Sequence, residues 1–179
     1  GTCVTDAAAQ WRAHLQSAAT WHLVAAGKAA APMLHACLAA APAAPASALL
    51  VAPAPDATLP AMVEQQIGGH PVPTEGSVAG GARALAIAAG TRADQVLMVL
   101  LSGGASALLA APAAGLTLGD KRATTDALLR GGADIVELNA VRKHLSRVKG
   151  GSLAAASAGR TVCLAVSDVI GDDRSVIGS

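Results

Sequence analysis

The stretch QVLMVLLSGGASALL at residues 95–109 decides the fold. From Val96 to Leu101 it is an unbroken apolar run rich in Val and Leu, the pattern of a strand buried on both faces of a parallel sheet. Ser102, Gly103, Gly104, Ala105 and Ser106 follow at once, and then Ala-Leu-Leu-Ala, a good helix-forming run. A strand, a glycine turn and a helix start together aim unpaired backbone N–H groups outward, and the helix dipole adds attraction for an anion. Glycine has no Cβ, so the backbone can approach a phosphate closely and adopt positive φ. Two readings fit this stretch on its own: a phosphate-binding turn, or an ordinary strand-to-helix turn capped by serine.

Outward from this stretch, strands and helices alternate. Upstream, residues 5–19 read as a helix with Trp11 and Leu15 on one face, and residues 22–26 as a short strand. Gly27-Lys28 turns that strand into a helix reaching about residue 40; an Ala/Pro linker at 41–47 leads to a buried strand at 48–52. Residues 53–77 read as loop-dominated around Gly68-Gly69-His70-Pro71-Val72-Pro73, and an Ala-rich helix covers 75–89. Downstream, residues 117–130 are helical, with Thr117 placed to cap and Asp120 in the first turn. Asp134 opens a further helix that Gly150-Gly151 interrupts, residues 161–166 form the last strand, and residues 167–179 are a Gly/Asp loop. No hairpin signal or internal repeat is present. The pattern predicts an α/β fold: a mainly parallel, Rossmann-like sheet with helices on both faces, as one domain over residues 1–179. The sequence stops at Val-Ile-Gly-Ser with no closing element, so the domain is expected to be a fragment of a larger two-domain protein.

Composition narrows the class. Hydrophobic residues are 53% and charged ones 14%, which excludes a disordered chain. With no Phe, no Tyr and two Trp, the core is built from Ala, Val, Leu and Ile, which bury little area per residue; support from a neighbouring domain or a second copy (a homo-oligomer) is expected. A net charge of +1 carries no electrostatic footprint for nucleic acid or a membrane surface. Cys3, Cys37 and Cys163 have no metal-ligand spacing; Cys37 and Cys163 read as small core residues, and a reducing cytoplasm is expected. No basic segment runs into an apolar stretch at the start, so no signal peptide is expected, and five prolines break the uncharged residues 29–55 as a membrane span.

Three strand exits carry polar residues, and in an open parallel sheet such exits gather along one edge. Lys28 is the only charge between Arg12 and Asp56; it reads either as a cation for phosphate charge or as a solvated first-turn lysine. Asp168, Asp172 and Asp173 put three carboxylates at a strand end, suited to Mg²⁺ or to orienting a hydroxyl, or else to an acidic turn. On a helical wheel, Leu138, Val141, Leu145 and Val148 make an apolar stripe, while Asn139, Arg142, Lys143 and Ser146 fall opposite, with Lys149 at the terminus. That polar side is either a solvated basic face or a cationic wall for a carboxylate or phosphate, which His144 would join. A Walker A loop is missing at Gly27-Lys28, and no G-x-G-x-x-G follows any strand.

Five blocks in order, AAGKAA, GGHPVPTEGS, LSGGAS, the run from Gly115 through NAVRKHLSRVKGG to Ala154, and AVSDVIGDDRSVIGS, resemble the glycerate 2-kinase family of the two-domain type, which also carries the older label hydroxypyruvate reductase. The resemblance spans about His22 to Ser179. It implies phosphorylation of D-glycerate by ATP with Mg²⁺, giving 2-phosphoglycerate, in a cleft closed by a second, C-terminal domain. It also implies that Lys28 and Asp168 are catalytic, that Ser102, Gly103, Gly104 and Ser106 bind phosphate, that Asn139, Arg142 and Lys143 bind substrate, and that Asp172 and Asp173 hold the metal. The loop departs from the family's pattern at Ala105, where a third glycine is usual, and at Ile170, where proline is common. A nicotinamide-dependent reductase and a non-catalytic anion-binding domain are the alternatives.

Overall fold

A computed structural model describes residues 8–166. Its centre is a five-stranded, wholly parallel sheet of order β3-β2-β1-β4-β5, formed by Trp21–Ala26 (β1), Ser47–Ala52 (β2), Val63–Ile67 (β3), Val96–Leu101 (β4) and Arg160–Ala165 (β5). Helices Ala8–Gln16 (α1) and Ala30–Ala40 (α2) lie on one face. Glu75–Gly90 (α3), Ala105–Leu108 (α4) and Ser152–Ala155 (α7) pack on the other. Leu118–Arg130 (α5) and Ile135–His144 (α6) form a pair between α4 and α7 in the chain.

Alternation along the strands divides the core in two. Leu23, Ala25, Leu50, Met98 and Leu100 meet Trp11, Leu15, Met33, Leu34 and Cys37 on the first face. Val24, Ala26, Leu49, Val51, Leu97 and Val99 meet Ala84, Ile87, Ala88, Leu108 and Leu153 on the second. Both faces are covered, so β1, β2 and β4 are apolar at every position except His22 and Ser47, which hydrogen-bond to each other near the strand starts. Both tryptophans are buried on the first face, and the Trp21 indole N–H donates to the Ala43 carbonyl at 3.1 Å. Burial pushes the Cys37 thiol up to about 12, so it is an inert core group.

Three expectations need correction. Cys163 is exposed, because β5 is an edge strand with no fully buried position. Residues 53–77 contain β3, whose sequence VEQQI has too few apolar residues to announce a buried strand. It is the other edge, tied down by polar contacts: Glu64 accepts from Arg83 of α3 at 2.5 Å, and Gln65 exchanges hydrogen bonds with the Asp56 backbone. Finally, the helix opened by Asp134 ends at His144 instead of reaching the glycine pair.

Gly27, between β1 and Lys28, has φ +132°, and a Cβ there would collide with the Ser102 side chain and come within 2.6 Å of the Ser102 carbonyl oxygen. Gly90 ends α3 facing open space. Gly27→Ala is therefore expected to lower stability by at least ~2 kcal/mol, while Gly90→Ala raises it by ~0.5 kcal/mol; urea unfolding of the two variants measures both.

Candidate functional site

β1 and β4 are neighbours, yet the chain leaves their carboxyl ends toward opposite faces: after β1 to α2 on the first, after β4 to α4 on the second. That divergence opens a crevice at the carboxyl edge of the sheet. Two turns fill its rim. The Lys28 amide donates to the Gly103 carbonyl at 2.9 Å, and the Ala29 amide donates to the Ser102 hydroxyl at 3.0 Å. Ser102 is thus spent on joining the turns. Gly104 adopts φ +85°, and a Cβ on it would stand 3.2 Å from Lys28 Cγ and 2.8 Å from His70 Cδ2. Lysine stem and imidazole flank the glycine, which only a residue without a side chain allows. The Ala105 methyl points into the core beside Leu108, away from this rim. The amides of Gly103 and Gly104 have no acceptor among the described residues, and the exposed Lys28 ammonium has no carboxylate partner there. A helix of four residues follows the turn, so the individual amides, more than a macrodipole, face the crevice.

Beside this rim lies a cavity of about 380 Å³ with three cationic walls. α5 begins with a capping box in which Thr117 and Asp120 satisfy each other's backbone, and this sets Lys121 on the helix's inner face next to Leu118. Asp134 and Glu137 start α6 in the same way and aim Arg142 inward from its last turn. Residues 145–149 then leave the helix because their backbone pairs elsewhere: the Arg147 amide donates to the Ala111 carbonyl at 2.9 Å, and the Ala113 amide donates to the Leu145 carbonyl at 3.1 Å. Gly150 and Gly151, both at positive φ, complete the reversal. Lys149 is swung inside as a result.

Arg142 Nη2 and Lys149 Nζ both donate to Ser106 Oγ, each at 2.6 Å. Lys149 is 4% exposed and Lys121 8%. Burial, then the charges of Arg142, Lys121 and Lys143, hold the Lys149 ammonium well below the usual lysine range. Lys121 is lowered by burial and by Arg142, and Arg142 by burial. Among the described residues none of the three has a salt-bridge partner. A segment from the Gly-Gly-His-Pro block covers the cavity: the Arg122 guanidinium donates to the Pro73 carbonyl, and Pro71 and Pro73 form a wall.

Of the residues singled out from sequence, Lys28, Ser102, Gly103 and Gly104 stand together at the crevice, while Ser106 and Arg142 meet in the adjoining cavity. Asn139 is buried in α6, and Lys143 lies along Gly150. Asp168, Asp172 and Asp173 lie outside the described residues; β5, which precedes them, ends level with β4 at the same edge. Sequence reading missed Lys121, His70 and the inward turn of Lys149. A signal for Lys121 was present, since Leu118, Lys121 and Thr125 follow one helical stripe and a lysine in an apolar stripe is unusual.

The fold defines an open parallel α/β domain whose topological switch point adjoins a cation-lined cavity. The chain belongs to the family described as a domain of unknown function, DUF4147, which matches residues 2–179. It is 47% identical over 111 residues to a glycerate 2-kinase of Pyrococcus horikoshii, covering 62% of this chain and 25% of that protein. It is 44% identical over 158 residues to an Agrobacterium vitis protein provisionally named hydroxypyruvate reductase, covering 88% of this chain and 36% of the relative. Its fold matches the crystal structure of a Thermotoga maritima glycerate kinase with a TM-score of 0.81 at 34% identity, over 97% of this chain and 42% of that one. The chain therefore spans between a quarter and about two fifths of the length of these relatives.

A buried cation without a counter-charge opposes folding. Lys149→Met is expected to stabilise the ligand-free chain by about 1 kcal/mol or more, read from denaturant unfolding. The native lysine has a lower pKa folded than unfolded, so between those values the unfolded chain binds the extra proton and stability rises with pH. The variant flattens that rise.

Proposed function

We propose that the protein containing this domain is a kinase that phosphorylates D-glycerate at the 2-hydroxyl, with ATP as donor and Mg²⁺ as the accompanying ion, in the cytoplasm. The observation that carries this is the joined rim at the β1–β4 switch point, where a lysine stands against a glycine turn, with no anionic partner for the lysine and no acceptor for the two turn amides among the described residues. Kinship with proteins named glycerate kinase supplies the substrate.

Phosphoryl transfer asks for positioning and charge neutralisation more than for covalent chemistry. In this reading the Lys28 ammonium and the Gly103 and Gly104 amides neutralise charge on the transferring phosphoryl group. The absence of a Cβ at Gly104 lets the Lys28 stem and the His70 ring close on the turn, which holds the lysine beside the two amides. ATP supplies the phosphoryl group when bound, and these residues suit its anionic oxygens. Asp168 orients the attacking hydroxyl and takes its proton, while Asp172 and Asp173 hold the cation. Those three aspartates lie outside the described residues, so their part rests on the sequence blocks. Relatives extend well beyond this chain, and a second domain closing over the crevice fits the proposal.

A full-length protein carrying this domain should release ADP when given ATP, Mg²⁺ and D-glycerate, and should leave NADH unoxidised when given hydroxypyruvate; the reverse pattern would establish the reductase. Lys28→Ala in that protein should lower kcat at least ~100-fold with little change in its unfolding midpoint, because the side chain is exposed. Undiminished turnover removes Lys28 from the mechanism.

A further inference from the structure

The crevice at Lys28 does not account for the neighbouring cavity. Three cationic side chains converge there from α5, from α6 and from the loop after it, so no single helix face explains them. Arg142 and Lys149 share one acceptor, Ser106 Oγ, and their charged groups therefore stand no farther apart than two hydrogen bonds end to end. Asp126 and Arg122, which line the cavity from α5, are exposed, and Arg122 donates to the Pro73 carbonyl. Two neighbouring cations on one hydroxyl repel each other, a serine oxygen carries no charge to offset them, and among the described residues no carboxylate forms an ion pair with either. A bound anion would.

The size and walls of the cavity choose the anion. Glycerate, with one negative charge and three carbons, would leave most of the roughly 380 Å³ empty and most of the positive charge unmatched. Leu138, Leu145, Pro71 and Pro73 line the remainder with apolar surface that a hydroxy acid does not need. A polyanion with an apolar end fits both features. Ser106 also belongs to the same turn as Gly103 and Gly104, so a phosphate chain running past Ser106 reaches their amides and Lys28 within a few residues of backbone.

We propose that this cavity binds a nucleoside di- or triphosphate, with Lys121, Arg142 and Lys149 on its phosphate chain, Pro71, Pro73, Leu138 and Leu145 against its nucleoside, and the Lys28–Gly104 rim left for the terminal phosphoryl group and its acceptor. The assignment rests on the kinase reading for its choice of polyanion. It moves Arg142 from the substrate carboxylate to the donor. An anion there also favours the protonated form of Lys149, which burial and the charges of Arg142, Lys121 and Lys143 disfavour in the empty cavity, with Asp126 also lining it.

Isothermal titration of the 179-residue chain with ADP, inorganic pyrophosphate and D-glycerate tests this. ADP should bind, pyrophosphate should compete with it, and D-glycerate should not. Lys149→Met should weaken ADP by about 30-fold or more and Lys121→Met by about tenfold. Circular dichroism and unfolding of each variant separate lost binding from lost structure. Titrations in buffers of different ionisation enthalpy should show proton uptake that grows as pH rises in the wild type and that Lys149→Met removes. Two results would overturn the assignment: ADP affinity unchanged in both lysine variants, or D-glycerate affinity falling in them instead. The second leaves the kinase reading standing. A full-length protein that binds ADP in this cavity, yet phosphorylates no hydroxy acid, would keep the site and end the glycerate kinase reading.

Discussion

The pairing of β1 with β4 is the constraint on which the rest depends. Each strand is buried on both faces, so the chain cannot turn back along the sheet and must leave to one side. The two strands leave to opposite sides, and the sheet is split at its carboxyl edge where they part. Joining the turns across that split takes two hydrogen bonds, Lys28 amide to Gly103 carbonyl and Ala29 amide to Ser102 hydroxyl. Gly27 permits the approach, since no side chain fits between it and Ser102. Packing of an ordinary α/β core therefore delivers a lysine and a glycine turn to one place before any chemistry is asked of them.

How much of this was legible follows from where apolar burial controls the sequence. β1, β2 and β4 could be read directly because both of their faces are covered, and the order of strands and helices then gave a parallel sheet. β3 could not, since an edge strand held by Glu64 and Gln65 carries few hydrophobic side chains. Thr117, Asp120 and Asp134 marked their helix starts correctly because capping is a local interaction, complete within a few residues. Lys28 and the Ser-Gly-Gly turn were visible for a similar reason: each follows a strand immediately.

The cationic cavity was hidden by a tertiary effect. The stripe Leu138, Val141, Leu145, Val148 keeps helical spacing beyond the end of α6, so local pattern argues for continuing the helix. Backbone bonds from residues 145–147 to residues 111–113 prevail, with Ser146 bridged to Pro112. Once the helix stops there, Lys149 falls on the inside instead of at a solvated terminus. A wheel cannot show that, because the competing partner lies more than thirty residues upstream. Ser106 was read as a phosphate-binding residue of the turn; its place as the common acceptor of two cations depends on the same rearrangement.

Two buried lysines and a part-buried arginine line one cavity, two of the three cations on one serine, an arrangement that opposes folding. Each loses hydration, and the hydroxyl returns only part of that loss through hydrogen bonds. Hydrophobic residues of similar volume would pack the same space at lower free energy, as they commonly do when they replace buried ions. The neighbouring apolar walls show that the chain can supply such residues here. In the proposed site the cations provide a difference between the empty and the occupied state: an anion gains more from an already dehydrated site, because much of the desolvation has been met during folding. The cost to stability and the gain in affinity are then one quantity seen from two sides, and they link occupancy of the cavity to the folding equilibrium of α5, α6 and the Pro71–Pro73 wall around it.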